Sequence, residues 1–332
     1  MGIIFWIFVF IASLAVLVKS ADWLVESAEK IGLALKISPF IIGVTIVAIG
    51  TSLPELASSL SAVLKGVSEV VPANVIGSNI ANILLIVGLS AIAARRLIVR
   101  RSLIDLDAPL LAASTILFIF IAWDRKIEFK EGILLLIGFV IYVLYTIFQR
   151  REQENEAAKE VLPSRVERRE KEARIEKEKE SIARIDFKTI FFLLVGIVGL
   201  AIGADYTIES VVKISEILKI APSLIAISAI ALGTSLPELV TSVQAALKKK
   251  YEISLGNIFG SNVFNILLVT GIPTLITPLK VNSETFTVGI PFLIIATFLF
   301  IISGISQRIH IWEGTMYVLL YILFVAKLFN LF

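Results

Sequence analysis

The sequence predicts an all-α polytopic membrane protein with ten transmembrane helices, arranged as two inverted-topology repeats of five. Hydrophobic residues make up 57% of the 332 residues and charged residues only 18%, and mean hydropathy is +0.90. This composition lies outside the range of soluble globular domains. Apolar runs of roughly 17 to 25 residues, long enough to cross a bilayer as helices, recur between short polar joints.

A long internal repeat supports this architecture. Residues 21–88 match the residues 183 positions later without a gap, which places Glu55 on Glu238 and Asn82 on Asn265. Each half contains five candidate spans, and because five is odd the second copy must enter the membrane upside down. The candidate spans are Gly2–Ile31, Pro39–Leu64, Val70–Ala93, Ala108–Trp123, Gly132–Phe148, Ile190–Ile214, Pro222–Leu247, Ile253–Ile276, Phe286–Ile302 and Gly314–Leu331.

Loop charges predict the orientation. The joint Arg95–Arg101, the charged segment 150–188 and Lys248–Lys250 fall on one side, and basic joints favour the cytoplasm. Both termini are then predicted to be extracellular, in the cell membrane. The run Gly2–Val18 lacks a basic leader and a cleavage site, so we expect it to be retained as a span. The predicted division is a first repeat at 1–149, a solvated cytoplasmic linker at 150–188 and a second repeat at 189–332.

The stretch "IGTSLPELASS" (Ile49–Ser59), which returns as "LGTSLPELVTS" (Leu232–Ser242), is the main candidate for function. Glu55 and Glu238 lie deep in apolar spans, where an unpaired carboxylate costs about 3 kcal/mol on insertion scales. Pro54 cannot donate a backbone hydrogen bond to the carbonyl of Gly50, so we expect the helix to break there. Backbone exposed by such a break is tolerated only inside protein or along a cavity.

Neutral oxygens accompany each carboxylate. Thr51 lies four residues before Glu55. In the following span, "GSNIAN" places Ser78 and Asn82 on one helical face, and "GSNVFN" repeats this with Ser261 and Asn265. Gly77 and Gly260 permit close helix packing. Carboxylate, amide and hydroxyl oxygens suit hard cations such as Ca²⁺.

Inverted repeats with broken helices that meet near the midplane are typical of secondary transporters. Two carboxylates with neutral oxygens balance one Ca²⁺, and several Na⁺ could share the same ligands. Competition for these oxygens would produce antiport.

The paired GTSLPE and G-S-N-x-x-N stretches resemble the two α-repeats of the cation/calcium exchanger superfamily, here 43–87 and 226–270, and most closely those of prokaryotic sodium/calcium exchangers. The resemblance implies that the second, third, seventh and eighth spans hold the ions while the first and sixth slide across them. It also implies a set of metal ligands: Glu55, Glu238, Asn82, Asn265, Thr51, Thr234, Ser52, Ser235, Ser78, Ser261 and the carbonyls of Ala48 and Ala231. Many sodium/calcium exchangers have Asp where this chain has Asn265. In potassium-dependent relatives that Asp is associated with potassium, so Asn265 argues against potassium dependence, and the ion stoichiometry stays open.

Several alternatives remain. The main alternative is a proton/calcium exchanger of the same superfamily, although such proteins usually have a motif similar to G-N-x-x-E where this chain has GTSLPE. A transporter of Mg²⁺ or another divalent ion, and a cation channel, would use similar ligands. An intramembrane serine protease would need a base at depth, and His310, the single histidine, is predicted to lie in a loop. We predict no enzymatic activity, no catalytic residue, no cofactor besides the transported Ca²⁺ and Na⁺, no nucleic-acid partner, and a functional monomer in the lipid bilayer.

Overall fold

The computed structural model describes residues 2–35, 37–99, 107–160, 186–218 and 233–329. Helices dominate these residues, in agreement with the predicted all-α membrane fold. The helices are α1 (Ile3–Leu35), α2 (Pro39–Leu64), α3 (Val70–Ala94), α4 (Ala108–Ile121), α5 (Phe129–Glu160), α6 (Phe187–Ile217), α7 (Leu236–Leu247), α8 (Tyr251–Thr274), α9 (Thr285–Ile305) and α10 (Ile311–Leu328). The strands are β1 (Arg96–Ile98), β2 (Lys126–Ile127), β3 (Leu279–Lys280) and β4 (Arg308–His310).

Eight apolar helices in the described part of the chain are long enough to cross a membrane. The other two helices, α4 and α7, are shorter. A final tight turn extends α4 to Asp124, and α7 begins at Leu236, shortly after residues that lie outside the described ranges. The predicted span 222–247 therefore lies partly outside the described residues, and the count of ten spans stays a prediction. Polar caps set two of the helix starts: the Ser38 side chain accepts from Ile41 N, and Asp186 accepts from Thr189 N at 2.8 Å. Hydrogen bonds from the Thr189 hydroxyl and backbone lower the pKa of Asp186.

Two short antiparallel ribbons join the repeats at the helix ends. β1 pairs with β4 and β2 pairs with β3, so each ribbon takes one strand from each repeat. The joints near β1 and β4 lie on one face of the molecule, which we name the Lys248 face. Lys249 and Lys250 lie on the same face, because they line a cavity together with Ile98 of β1. The opposite ends, near Glu69, β2 and β3, form the Glu69 face. This pairing is what an inverted repeat requires, because corresponding joints fall on opposite faces.

The helices form two packed groups. α1 and α6 lie against each other along their length, where a Cβ added to Gly196 would come within 2.9 Å of Leu24 N. We call them the α1–α6 pair. Helices α2, α3, α7 and α8 form the core that carries both repeated motifs. Within it, Gly43 of α2 meets Gly256 of α8 so closely that a Cβ on either would lie 2.7 Å from a backbone oxygen of the other helix.

Three core segments adopt the wider π-helical turn: Gly43–Val47 in α2, Ala81–Val87 in α3 and Asn265–Val269 in α8. Such turns are frequent at functional sites. The predicted helix break at Gly50–Pro54 was wrong, because α2 runs through Pro54 as an α-helix from Ala48 to Leu64. The irregular backbone of α2 instead lies a turn earlier, in the π segment. In the second repeat the described helix begins only at Leu236, with Pro237 in its first turn.

Two further predictions need adjustment. Helix α5 continues to Glu160, so residues 150–160 of the segment predicted as a linker are helical, and residues 161–185 lie outside the described ranges. His310 is exposed in β4 instead of a loop, and its backbone N–H donates to Glu313 at 2.7 Å to cap α10. This position is far in the fold from the buried motifs, so the base that a serine protease needs is not supplied by His310.

Candidate cation-binding site

The two repeated carboxylates meet inside the core. Glu55 on α2 and Glu238 on α7 are 1% and 0% exposed, and they are close enough to interact electrostatically. Neither oxygen of Glu55 has a hydrogen-bond partner among the described residues, nor does Oε2 of Glu238. Two neighbouring carboxyl groups buried with three unpaired oxygens are unfavourable unless a cation or proton is shared between them.

Hydroxyl groups from both repeats surround Glu238. The Ser52 hydroxyl donates to Glu238 Oε1 at 2.8 Å, and Ser52 Oγ lies 3.0 Å from Ser261 Oγ. These three residues come from α2, α7 and α8, so the contact joins the two halves of the chain. The corresponding donor for Glu55 would be Ser235, but its buried Oγ has no partner among the described residues. The site is therefore assembled around one carboxylate and not around the other.

The threonines of the two motifs make equivalent contacts across the repeats. Thr51 Oγ1 lies 3.1 Å from Asn257 Oδ1, and Thr234 Oγ1 lies 3.1 Å from Asn74 Oδ1. Thr51 Oγ1 is also 3.3 Å from the carbonyl oxygen of Ala48. Thr234 Oγ1 lies 3.4 Å from Ser78 Oγ. The cross-repeat pairing of each threonine is the clearest sign that duplicated residues form one composite site.

Asn82 and Asn265 lie in the π-helical turns of α3 and α8. Both side chains are buried, at 1% and 0% exposure, and neither amide has a partner for its oxygen or its nitrogen among the described residues. An amide costs free energy when it is buried without hydrogen bonds. Two symmetry-related amides that are buried and unpaired are therefore suited to act as cation ligands.

The sequence analysis missed two residues of this site. Asn74 and Asn257 were recognised only as members of the repeat, yet they hold the motif threonines in place. Their spacing gave a usable signal, because Asn74, Ser78 and Asn82 follow at four-residue intervals and so share one face of α3. A third repeated asparagine pair contributes to packing, since Asn79 Nδ2 donates to the carbonyl of Asn262 at 3.1 Å.

The remaining predicted residues have mixed outcomes. Ala231 lies outside the described residues. Gly260 packs tightly against α2, as predicted, because a Cβ there would come within 2.6 Å of the Ala48 side chain. A Cβ on Gly77 would meet nothing within 4 Å in the described structure, so the predicted close packing is not seen at this glycine.

A cavity of about 340 Å³ connects the Glu69 face with the site. Glu69 and Asn282 line its outer part, and Asn74, Gly77 and Ser78 line its inner part. Its polar inner residues belong to the same face of α3 that carries Asn82. The cavity reaches Ser78 but is lined by neither motif glutamate, so it forms only the outer part of a route toward the carboxylates.

Comparison with known proteins identifies the family. The family model of sodium/calcium exchanger proteins matches residues 5–148 and 188–330. This chain belongs to the sodium/calcium exchanger protein family. The match covers both repeats and leaves out most of the charged linker, and the family is one of transporters.

Individual relatives agree with this assignment. The sodium/calcium exchanger MaX1 of Methanosarcina acetivorans is 33% identical, over 97% of each chain. The putative antiporter CaxA of Alkalimonas amylolytica is 35% identical, over 81% of this exchanger-family chain and 80% of its own length. The structure superposes on the sodium-calcium exchanger NCX_Mj, soaked without Na⁺ and Ca²⁺, with a TM-score of 0.77, 28% identity and coverage of 98% of this chain and 100% of NCX_Mj.

Proposed function

We propose that this member of the sodium/calcium exchanger family is a secondary antiporter that exchanges Na⁺ for Ca²⁺ across the cell membrane. One observation carries the proposal: two buried carboxylates from opposite repeats interact with each other and have three unpaired oxygens, and hydroxyls of both repeats lie at one of them. Oxygen ligands with a total charge of about −2 suit one Ca²⁺.

The proposed ligand set follows from these contacts. Glu55 and Glu238 supply the charge, and Asn82 and Asn265 supply amide oxygens that no other described group occupies. The hydroxyls and carbonyls around them would hold the flanking Na⁺ positions: Thr51, Thr234, Ser52, Ser235, Ser78, Ser261 and the carbonyls of Ala48 and Ala231. Because Na⁺ and Ca²⁺ would need the same carboxylates, each ion displaces the other, and this competition couples their movements.

The mechanism requires that the site open to one face at a time. The cavity from Glu69 to Ser78 is a route on one face. Movement of the α1–α6 pair across the core would close this route and open the other. We further propose that the Lys248 face is cytoplasmic, because its joints contain most of the basic residues, and that a monomer without cofactors is sufficient.

Sodium coupling is preferred over proton coupling because of the hydroxyls. Five hydroxyl oxygens each lie within hydrogen-bonding distance of another side-chain oxygen of the site, in the pairs Ser52–Glu238, Ser52–Ser261, Thr51–Asn257 and Ser78–Thr234. These neutral oxygens would supply Na⁺ ligands in addition to the carboxylates that Ca²⁺ requires. A proton/calcium antiporter remains the second candidate, since two adjacent carboxyl groups can also share a proton.

The deciding experiment is ⁴⁵Ca²⁺ uptake into proteoliposomes loaded with Na⁺ and diluted into Na⁺-free buffer. We expect uptake that is driven by the Na⁺ gradient and that collapses with a sodium ionophore. Matched vesicles with K⁺ on both sides and an imposed pH gradient test the second candidate. Uptake in the pH-gradient vesicles alone would reject sodium coupling and identify a proton/calcium antiporter.

A further inference from the structure

A duplicated set of charged residues lies outside the cation site. Asp22 and Glu26 on α1 correspond in the repeat to Asp205 and Glu209 on α6, and the lysine after each motif-bearing helix is also duplicated, as Lys65 and Lys248. Each set therefore combines two carboxylates on the α1–α6 pair with one lysine at the end of a core helix. The first set consists of Asp22, Glu26 and Lys248, and we call it the Lys248 set. The second set consists of Asp205, Glu209 and Lys65.

The first set is bonded in this structure. Lys248 Nζ lies 2.8 Å from Asp22 Oδ1 and 3.0 Å from Glu26 Oε1. Burial opposes the lysine charge, but hydrogen bonds from Lys248 to both carboxylates outweigh it and raise the pKa of Lys248. The lysine thus ties α1 to the core on the Lys248 face.

The second set is not bonded. Among the described residues no ion pair joins Lys65 to Asp205 or Glu209, and all three side chains are exposed. The residue types and their order along the chain are the same in both sets. The structure therefore engages one set and leaves its chemical equivalent unengaged.

We propose that the two sets are alternating ionic latches, of which one engages as the other releases. The Lys248 set closes the Lys248 face while the cavity from Glu69 to Ser78 is open. When the α1–α6 pair moves to close the Glu69 face, Lys65 binds Asp205 and Glu209 and the Lys248 set separates. Lys248 and Lys65 are then positioning residues, and the inference rests on the alternating access of the proposed function.

The two latches are unequal. Lys250 forms an additional ion pair with Glu29 on the Lys248 face. The repeat places Val67 and Val212 at the corresponding positions, so the Glu69 face has no equivalent pair. The extra pair favours closure of the Lys248 face, so the ion-free protein should rest with the Glu69 face open.

A cysteine reporter tests the latch, because the chain has no cysteine of its own. Ile253 lies beside the cavity of the Lys248 face but is fully buried in a cluster with Val25 and Ala28 of α1, so a thiol at Ile253→Cys becomes more reactive when α1 leaves the core on this face. In lipid nanodiscs, which leave both faces accessible, the rate of modification by a hydrophilic maleimide measures that opening. Lys248→Gln should raise the rate roughly threefold, since partly exposed ion pairs are weak.

Lys65→Gln is the matched control. It removes the same charge at the symmetry-related position and should leave the rate at Ile253→Cys unchanged or lower it, because it weakens only the opposite state. Lys248→Arg should restore the original rate, since arginine keeps both ion pairs. A second reporter at Ala73→Cys, in the cavity of the Glu69 face, should respond to Lys248→Gln in the opposite direction.

Equal acceleration by Lys248→Gln and Lys65→Gln would overturn the latch, as would no response to Lys248→Gln. If Lys248→Gln does not yield folded protein, Glu26→Gln with its counterpart Glu209→Gln makes the same comparison. The assay needs no ion flux, so it separates the two proposals. If the two lysine variants change the modification rate in opposite directions but the protein shows no Na⁺-driven Ca²⁺ uptake, the latch is kept and the exchanger is rejected. If uptake is Na⁺-driven but both variants change the rate equally, the exchanger is kept and the latch is rejected.

Discussion

The same sequence motif, GTSLPE, adopts two different conformations in the two repeats. In the first, Pro54 lies inside a continuous helix and Ser52 reaches across to Glu238 at 2.8 Å. In the second, Thr234 and Ser235 form a turn, the helix begins at Leu236, and the Ser235 hydroxyl has no partner among the described residues. Identical residues in two conformations show that the sequence permits both, with the choice made by the surrounding packing.

This asymmetry explains why one carboxylate is paired and the other is not. Helix α2 presents Ser52 to Glu238, whereas the turn before α7 does not present Ser235 to Glu55. In the proposed alternating-access cycle, the two halves would exchange conformations as the site opens to one face and then to the other. The half-assembled site is therefore the expected appearance of one state, and each variant below asks whether the two halves differ as the structure indicates.

The largest effect is expected from removal of a site charge. Glu55→Gln or Glu238→Gln should reduce Na⁺-driven ⁴⁵Ca²⁺ uptake by at least about a hundredfold, because one remaining carboxylate cannot balance a divalent cation in a buried site. Glu216→Gln, which changes an exposed glutamate paired with Lys213, is the control and should transport normally.

The two substitutions should differ in stability even though both stop transport. Glu55 has two unpaired oxygens, whereas Glu238 accepts from Ser52. In ion-free buffer Glu55→Gln should therefore raise the melting temperature more than Glu238→Gln. Equal melting temperatures would show that the carboxylates are equivalent in solution, contrary to the structure.

A smaller effect is expected from adding charge. Asn265→Asp introduces a third carboxylate where the amide has no partner, and it should tighten apparent Ca²⁺ affinity by roughly tenfold or more, since ligand charge tunes calcium sites over orders of magnitude. Asn82→Asp makes the same change in the other repeat. The measurement is the Ca²⁺ dependence of exchange at several Na⁺ concentrations, and an unchanged cation profile in Asn265→Asp would place Asn265 outside the ligand shell.

Much of this arrangement could be predicted from the sequence. The constant offset of the repeat established that Glu55 and Glu238 are equivalent, and their depth in apolar spans marked them as a site. Periodicity located the spans because it depends on local residue pattern alone. The family assignment then followed from motifs that are long enough to be specific.

The rest depended on packing between distant segments. The motif GTSLPE alone does not predict that Pro54 lies within a helix while Pro237 lies at the start of one, because the difference comes from the segments that pack against each copy of the motif. The contact of Thr51 with Asn257 joins residues 206 positions apart, and the spacing that places Asn257 on the face of Ser261 does not reveal its partner. Likewise, the ion pairs of Lys248 join it to residues far away in the chain, 222 positions away in the case of Glu26.

Loss of a single hydroxyl should be smaller again. Ser52→Ala removes a hydrogen bond to a buried carboxylate and should lower stability in ion-free buffer by about 1.5 kcal/mol. Ser235→Ala removes a hydroxyl without a described partner and should change stability by no more than about 0.5 kcal/mol. The comparison is made by thermal unfolding, first without ions and then with saturating Ca²⁺. A loss at Ser235→Ala that appears only with Ca²⁺ would show that ion binding completes the second half of the site.

The smallest effect concerns the prolines, which probe the backbone directly. Pro54 lies inside the continuous helix α2 and cannot donate to the Gly50 carbonyl, so Pro54→Ala restores that donor and should stabilise the protein by about 1 kcal/mol. Pro237 lies in the first turn of α7, where no such donor is required, and Pro237→Ala should change stability by less than about 0.5 kcal/mol. If α2 must bend when the halves exchange conformations, Pro54→Ala will also slow exchange while leaving Ca²⁺ affinity nearly unchanged. Faster exchange in this variant would mean that α2 stays straight through the cycle, and that the asymmetry between the repeats is permanent.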